Sequence, residues 1–555
     1  MTSLIALSFA FNKAEKTLPK ELGSLVNLVN FYTANNKKLT GTIPAEYKNM
    51  VKLVGLDVSN CDLSGDIPTG LFADMEDLSL VNFQGGEKGF TGAIPLGTLL
   101  GKSTMRSIDF SNNEFTSAVV PAAGVRCATC ERLILNNNKI KSPISFVTTA
   151  NFPKLEELDL SVNEFSGKIA PLPATLQKLA LNNNTITGSF PDGVIGNAVI
   201  EEVNIGNNKG LSGTIPKEFS PRLKDKPKFK VLKIGNTAFS QISFTDAYAD
   251  LEQLYAPGLT GGVTVSDKIF ASPTMEQLVF DGSTLSHSPI IIDHLKMKNL
   301  KVLKMSGTGI SWQIPDGWFC FGKGYTGKLE ELDLSKNKLS GPFPSFMLDN
   351  RCGNCKVEEQ RLAQIDLSFQ DGKNFDAGPA MEKGKDGKPP TLRTCIKSLV
   401  ISKTARSGDM SQFIIGHTNE LQVLKVGDNN LGGAEFPKSW ENLNKLDSLG
   451  LENNKDFKAC FPDKSVDCKD APCVDWKAKA TKLVPDGKST ELTINVQGDT
   501  GVKYDSKWID TKDGKLPVGF QADKSILSCG IEPDKGSCDA TVVDQPFVMT
   551  GLMVR

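Results

Sequence analysis

Three histidines, His287, His294 and His417, are the only imidazoles in the 555 residues. General acid–base catalysis near neutral pH draws first on imidazole, whose ordinary pKa is about 6.5. His287 and His294 stand seven apart, His417 is distant, and no H-E-x-x-H, G-x-S-x-G or G-x-x-x-x-G-K-[ST] spacing occurs. Carboxylates are abundant, but Glu156-Glu157, Glu201-Glu202 and Glu330-Glu331 recur at one position of a repeated phrase. Asp57, Asp109, Asp159, Asp333 and Asp366 recur at another. Any acid pair drawn from a periodic set recurs by periodicity. No catalytic residue is therefore assigned, and the chain is expected to be neither an enzyme nor a holder of a cofactor.

The twelve cysteines offer thiol chemistry. Cys127-Ala-Thr-Cys130 and Cys352-Gly-Asn-Cys355 have metal-ligand spacing, but tetrahedral zinc needs four ligands in one place. The pairs lie 225 residues apart along a rod of repeats, so no metal site is expected. Cys61 occupies a buried slot of the phrase. The disulfide candidates are Cys320, Cys352, Cys355, Cys395, Cys460, Cys468, Cys473, Cys529 and Cys538. Neighbouring turns bring Cα atoms toward disulfide range. Cys320 is paired in this reading with Cys352 or Cys355, Cys395 takes the other, and Cys529 bridges to Cys538. Disulfides imply an oxidising compartment.

Leu329-Glu-Glu-Leu-Asp-Leu-Ser-Lys-Asn-Lys-Leu-Ser-Gly-Pro-Phe-Pro344 is the cleanest copy of the phrase, and Leu176 to Pro191 repeats it. A short period means a solenoid. Marked by the third core position (Phe9, Phe31, Val58 and Phe83 through Leu334 to Leu451), the series runs to eighteen copies, mostly 21 to 29 residues apart. L-x-x-L-x-L is a short strand with inward leucines, pairing in parallel with the next turn. The Asn that follows bonds backbone groups at the turn off the strand. Asn113, Asn138, Asn163, Asn184, Asn208, Asn337, Asn429 and Asn454 fill this ladder, while Thr237, Leu259 and Ser283 replace it in degenerate repeats. Eighteen strands about 4.8 Å apart make a sheet on the order of 85 Å along its curve.

Leu39-Thr-Gly-Thr-Ile-Pro44, Leu63-Ser-Gly-Asp-Ile-Pro68, Phe90-Thr-Gly-Ala-Ile-Pro95 and Leu211-Ser-Gly-Thr-Ile-Pro216 resemble the plant-specific leucine-rich repeat. That class is known from plant receptor-like kinases, receptor-like proteins and polygalacturonase-inhibitor proteins. The resemblance covers roughly residues 1–460. It implies an α/β solenoid, a curved superhelix with a parallel sheet on its concave face. It also implies binding of a protein, peptide or polysaccharide partner outside the cell or at its surface. Unlike the receptors, this sequence has neither kinase motifs nor an apolar run long enough to span a bilayer.

The array is expected over 1–459, with an insertion loop at 370–392, a cysteine-rich cap at 460–473 and a small β-rich module at 474–555. Leu4 to Phe11 scans as a repeat rather than a signal peptide, so the chain is expected to start inside the array, its targeting signal absent. The net charge of −1 makes no case for nucleic acid or an anionic membrane. Candidate binding residues are Lys230, Lys233, Tyr255, Lys301 and Lys304 on the strands, with Lys373, Phe375 and Lys383 in the loop. Such a ring beside lysines suits an acidic partner or uronic-acid sugars. The sequon Asn183-Asn184-Thr185 stands beside the ladder residue Asn184. The leading reading is a non-catalytic extracellular scaffold. The alternatives are the ectodomain of a longer receptor, an inhibitor of a wall-degrading hydrolase, and a cytosolic scaffold.

Overall fold

The phrase x-L-x forms a three-residue strand in turn after turn, because its apolar side chain buries while its flanking residues face outward. We describe this in a computed structural model. The structure describes residues 3–118, 126–191 and 199–215, and then, with interruptions, segments from 229–244 through 454–457, together with 493–497 and 546–549. The chain divides into two compact units, Met1–Ser272 and Pro273–Arg555.

In the first unit the strands Ala6–Ser8, Asn30–Tyr32, Gly55–Asp57, Leu80–Asn82, Ser107–Asp109, Arg132–Ile134, Glu157–Asp159, Lys178–Ala180, Glu202–Asn204, Val231–Lys233 and Gln253–Tyr255 pair in parallel, each with the next. The register never slips: Ile108 stands beside Leu133, and Leu133 beside Leu158. One slip would turn every inward leucine to solvent. Past the ladder, a second parallel sheet forms from Ser166–Lys168, Thr185–Gly188, Gly210–Ile215, Ala238–Phe244 and Gly262–Val265. The bend uses the Gly of L-x-G: Gly188 in this sheet holds φ of 108°, and Gly41, in a separate three-stranded sheet of Glu15–Thr17, Lys38–Gly41 and Asp62–Leu63, holds 88°, a region where side chains are strained. Helix is scarce among the described residues. One α-helix, Leu96–Leu100, accompanies a few 3₁₀ turns on the return side.

The second unit repeats the plan with Gln277–Val279, Val302–Lys304, Glu331–Asp333, Gln364–Asp366, Ser398–Val400, Val423–Lys425 and Ser448–Gly450 in parallel. Thr493–Gln497 adds a further parallel strand to Ser448–Gly450, and Pro546–Met549 pairs with it antiparallel. Residues 460–473, most of the insertion loop and most of 474–555 lie outside the described residues.

The register corrects one assignment. Phe31 pairs with Leu7 and Leu56, which are middle positions of their strands. The third core slot of that turn is therefore Thr33, fully buried with its hydroxyl 3.9 Å from the Cys61 sulfur. The bulky Phe at 31 draws the count two residues early. The ladder position of that turn is Asn36, whose Nδ2 donates to the Phe9 carbonyl at 3.0 Å and whose Oδ1 accepts from the Ala14 N–H.

Each buried ladder Asn makes the same two-way contact. Asn163 donates to the Leu135 carbonyl of the preceding turn at 2.8 Å and accepts from the Ile140 N–H at 3.0 Å. Asn113, Asn184, Asn208, Asn337, Asn429 and Asn454 do likewise. Gln370 performs this role too, donating to the Leu334 carbonyl and accepting from the Leu339 N–H. Thr237 and Thr404 each donate their hydroxyl to a carbonyl of their own turn, and the Thr404 hydroxyl also lies 3.4 Å from Asn429 Oδ1 of the next turn.

Candidate functional site

The outward residues of the ladder form a long regular surface in each unit. Most of its carboxylates are already committed. Asp109, Asp159, Asp333 and Asp366 each accept both the N–H and the hydroxyl of a Ser two residues on, at 2.6–2.9 Å. The motif D-x-S thus closes a local turn at the strand exit. Burial pushes the carboxyls of Asp109, Asp159 and Asp366 above the usual range, although the serine bonds pull the other way. Each of these acids is thus held by the Ser of its own turn. Among the described residues, no group of three His, Cys, Asp or Glu converges as a metal site would require.

Lys230, Lys233 and Tyr255 close the first unit. Lys233 stands in register beside Asn204 on one side and Tyr255 on the other, one strand apart each way. Lys230 lies just before its strand, where its carbonyl accepts from Glu252 and Gln253. Tyr255 is 46% exposed, a large ring held outward by a rigid strand. Lys301 and Lys304 belong to the second unit and are differently placed. Lys301 is 2.8 Å from Glu276, and Lys304 is 2.6 Å from Glu331. Burial lowers the Lys304 pKa, but the Glu331 hydrogen bond and charge outweigh it and set the pKa above the ordinary lysine value. The five strand residues are thus not one patch with five free groups. The loop residues Lys373, Phe375 and Lys383, and the histidines His287, His294 and His417, lie outside the described residues.

The sequence reading passed over two features. Cys130 fills a leucine slot, and Cys127 lies one bend before it. The two are joined in a disulfide with a Cα–Cα distance of 5.5 Å, and both are buried. A C-x-x-C placed just ahead of a ladder strand is the signal that pointed to it. Cys61 is free and buried, its thiol 3.3 Å from the Thr33 carbonyl. Cys395 is disulfide-bonded, whereas Cys320, Cys352, Cys355, Cys460, Cys468, Cys473, Cys529 and Cys538 lie outside the described residues.

The second feature is a column of left-handed residues directly before the ladder Asn. It includes Asn112, Asn137, Asn183, Asn207 and Asn236, with φ between 54° and 58°. Asn tolerates this conformation better than most residues do. Val162 and Phe369 take the same column at φ 55° and 54°, exposed by 41% and 47%. The Lys403 ammonium lies 5.9 Å from the Phe369 ring centroid.

The leucine-rich repeat family model matches residues 328–349, which contain the cleanest copy of the phrase. Receptor-like protein 39 of Arabidopsis thaliana is 23% identical over 356 residues, covering 58% of this chain and 38% of that protein. Receptor-like protein 32 of the same plant is 27% identical over 29% of this chain and 18% of its own length. Lumican of Gallus gallus is 28% identical over 33% of this chain and 52% of its own. The chain thus spans about half or less of the length of these relatives. Among solved structures, the plant peptide hormone receptor RGFR1 in complex with RGF2 superposes with a TM-score of 0.60 at 18% identity, covering 83% of this chain and 76% of that one. The ectodomain of the Arabidopsis receptor kinase HAESA in complex with an IDA peptide gives 0.57 at 22% identity, covering 84% and 71%. With the parallel ladder and the second sheet, these likenesses show the leucine-rich repeat fold, and the L-x-G-x-I-P bend is similar to that of the plant type.

Proposed function

We propose that the chain is a non-catalytic recognition scaffold that holds a protein or peptide partner outside the cell or at its surface. The observation that carries this reading is the Lys233–Tyr255 pair in register on the ladder. An exposed tyrosine offers large contact area at low entropic cost, and a cation beside it supplies specificity. A continuous sheet of regular strands presents such groups rigidly to an extended ligand. The structural relatives named above were solved with peptide hormones bound, which supports a peptide as the ligand class. The Cys127–Cys130 disulfide supports an oxidising compartment. The acids of the ladder are engaged in their own turns, which supports binding over catalysis.

The test is a selection of displayed peptides against the intact chain, repeated with Tyr255→Ala and with Lys233→Glu. Binding of the selected peptides should fall at least tenfold in each variant, a loss of about 1.4 kcal/mol or more. Peptides that bind both variants as tightly as the parent would remove this patch from the reading. An intact chain that retains no peptide at all would remove the peptide.

A further inference from the structure

Outside the partner surface, the left-handed column carries its own side-chain network. Asn137 Nδ2 donates to Asn112 Oδ1 at 2.9 Å. Two turns later a second run begins: Asn207 Nδ2 donates to Asn183 Oδ1 at 2.6 Å, and Asn236 Nδ2 donates to Asn207 Oδ1 at 2.7 Å. Val162 separates the runs. Its isopropyl group has no acceptor to offer, so the second run has a free end. At that end the Asn183 carbonyl oxygen is engaged, while its exposed Nδ2 has no hydrogen-bond partner among the described residues. A β-branched residue in left-handed backbone is an uncommon choice. Here that choice frees one particular amide nitrogen.

Two residues beyond Asn183 stands Thr185, exposed, its hydroxyl donating to the Phe165 carbonyl at 2.9 Å. Asn183-Asn184-Thr185 is the acceptor pattern for N-linked oligosaccharide. Asn112 also ends a run, but Glu114 follows it at that spacing. Asn207 and Asn236 have committed nitrogens and are followed by Lys209 and Ala238. We propose that Asn183 carries an N-linked glycan, an inference that rests on the extracellular reading above. In the transfer, the Asn183 amide nitrogen bonds to the anomeric carbon of a lipid-diphosphate-linked oligosaccharide. The bond from that carbon to the phosphate oxygen breaks, the lipid diphosphate leaves, and the amide gives up one proton. The bond from Asn207 to Asn183 Oδ1 survives, because the sugar replaces only a hydrogen on the nitrogen. Three strand spacings, about 14 Å, separate this turn from that of Tyr255. The glycan therefore borders the proposed partner surface and leaves it open.

The chain, fused to a secretion signal and expressed in a eukaryotic secretory host, is to be recovered from the medium and mapped by peptide mass spectrometry before and after peptide N-glycosidase treatment. The expected result is an oligosaccharide on Asn183 that enzymatic release converts to Asp. Thr185→Ser should keep the glycan and Thr185→Ala should lose it. Deglycosylation should leave the melting temperature unchanged, since Asn183 Nδ2 has no hydrogen-bond partner among the described residues. A secreted chain with bare Asn183 overturns the proposal and leaves the extracellular reading standing. A chain retained in the cell with bare Asn183 overturns both. Mapping the parent chain decides the question even if Thr185→Ala fails to fold.

Discussion

Asn138 holds the turn of Phe110 to its own. Its Nδ2 donates to the Phe110 carbonyl at 2.9 Å, and its Oδ1 accepts from the Phe115 N–H at 3.1 Å. Both backbone groups are buried, but the Phe110 carbonyl also accepts from Asn113 Nδ2 at 3.1 Å. Asn138→Ala therefore strips the Phe115 N–H and leaves the carbonyl with Asn113. A buried orphan costs about 1–3 kcal/mol, and the expected loss is of that size. The lost bond belongs to one turn, so the measurement is local: the Phe115 amide should exchange hydrogen far faster in the variant. Unchanged protection of that amide would sink the prediction.

Asp109 poses the opposite case. Burial raises its carboxyl pKa, while the Ser111 bonds and the Arg132 charge pull it down and lose. A group whose folded pKa is raised contributes most below the unfolded value near 4, and that contribution is lost as pH rises through the folded value. At neutral pH the charge is thus a liability. An amide can accept the same Ser111 bonds, as Asn82 does from the Gln84 N–H at 3.2 Å in the equivalent position. Asp109→Asn should therefore raise the melting temperature at pH 7, with the gain shrinking toward pH 4. A variant that melts lower at pH 7 and recovers in acid would reverse the sign and refute this.

Val162 is the sharpest local conflict in the first unit, a β-branched residue at φ 55° with its side chain exposed. Val162→Asn removes that strain and offers an acceptor to Asn183, joining the two amide runs. The expected gain is about 1 kcal/mol, read as a shift in the denaturant midpoint. A loss of stability would mean that the valine packs against something worth more than the strain.

The ladder was legible because it is periodic. Leu133, Leu158 and Leu179 carry a two-residue alternation that only a half-buried strand satisfies. Where a bulky apolar residue sat off register, as Phe31 does, hydrophobicity alone placed the turn two residues early, and backbone pairing was needed to find Thr33. Asn36 and Gln370 stand at the ladder spacing, three residues after Thr33 and Leu367, but Asn36 escapes notice when its turn is counted from Phe31, and Gln370 because it is not Asn. The lysines were hardest to read. Lys301 and Lys304 look like Lys233 in sequence, but cross-turn partners about 25 residues away, Glu276 and Glu331, decide their availability. Pairing across turns depends on the length of each repeat, which a local motif does not encode.

Cys127, Cys130 and Cys61 give a chemical test of the compartment. All three are buried. In the native fold none should react with a maleimide, so the labelling is done after unfolding in denaturant. Cys61 is a free thiol, and burial pushes its pKa up, so it should label as soon as the chain unfolds, without reductant. Cys127 and Cys130 should label only after reduction. The disulfide closes a loop of sequence separation 3, so it removes little entropy from the unfolded chain. Cys127→Ala should cost no more than about 2 kcal/mol, against about 3 for a loop of roughly 15 residues. Protein prepared under oxidising conditions in which Cys127 and Cys130 label without reductant would refute the disulfide. It would also withdraw the support that the disulfide lends to an extracellular setting.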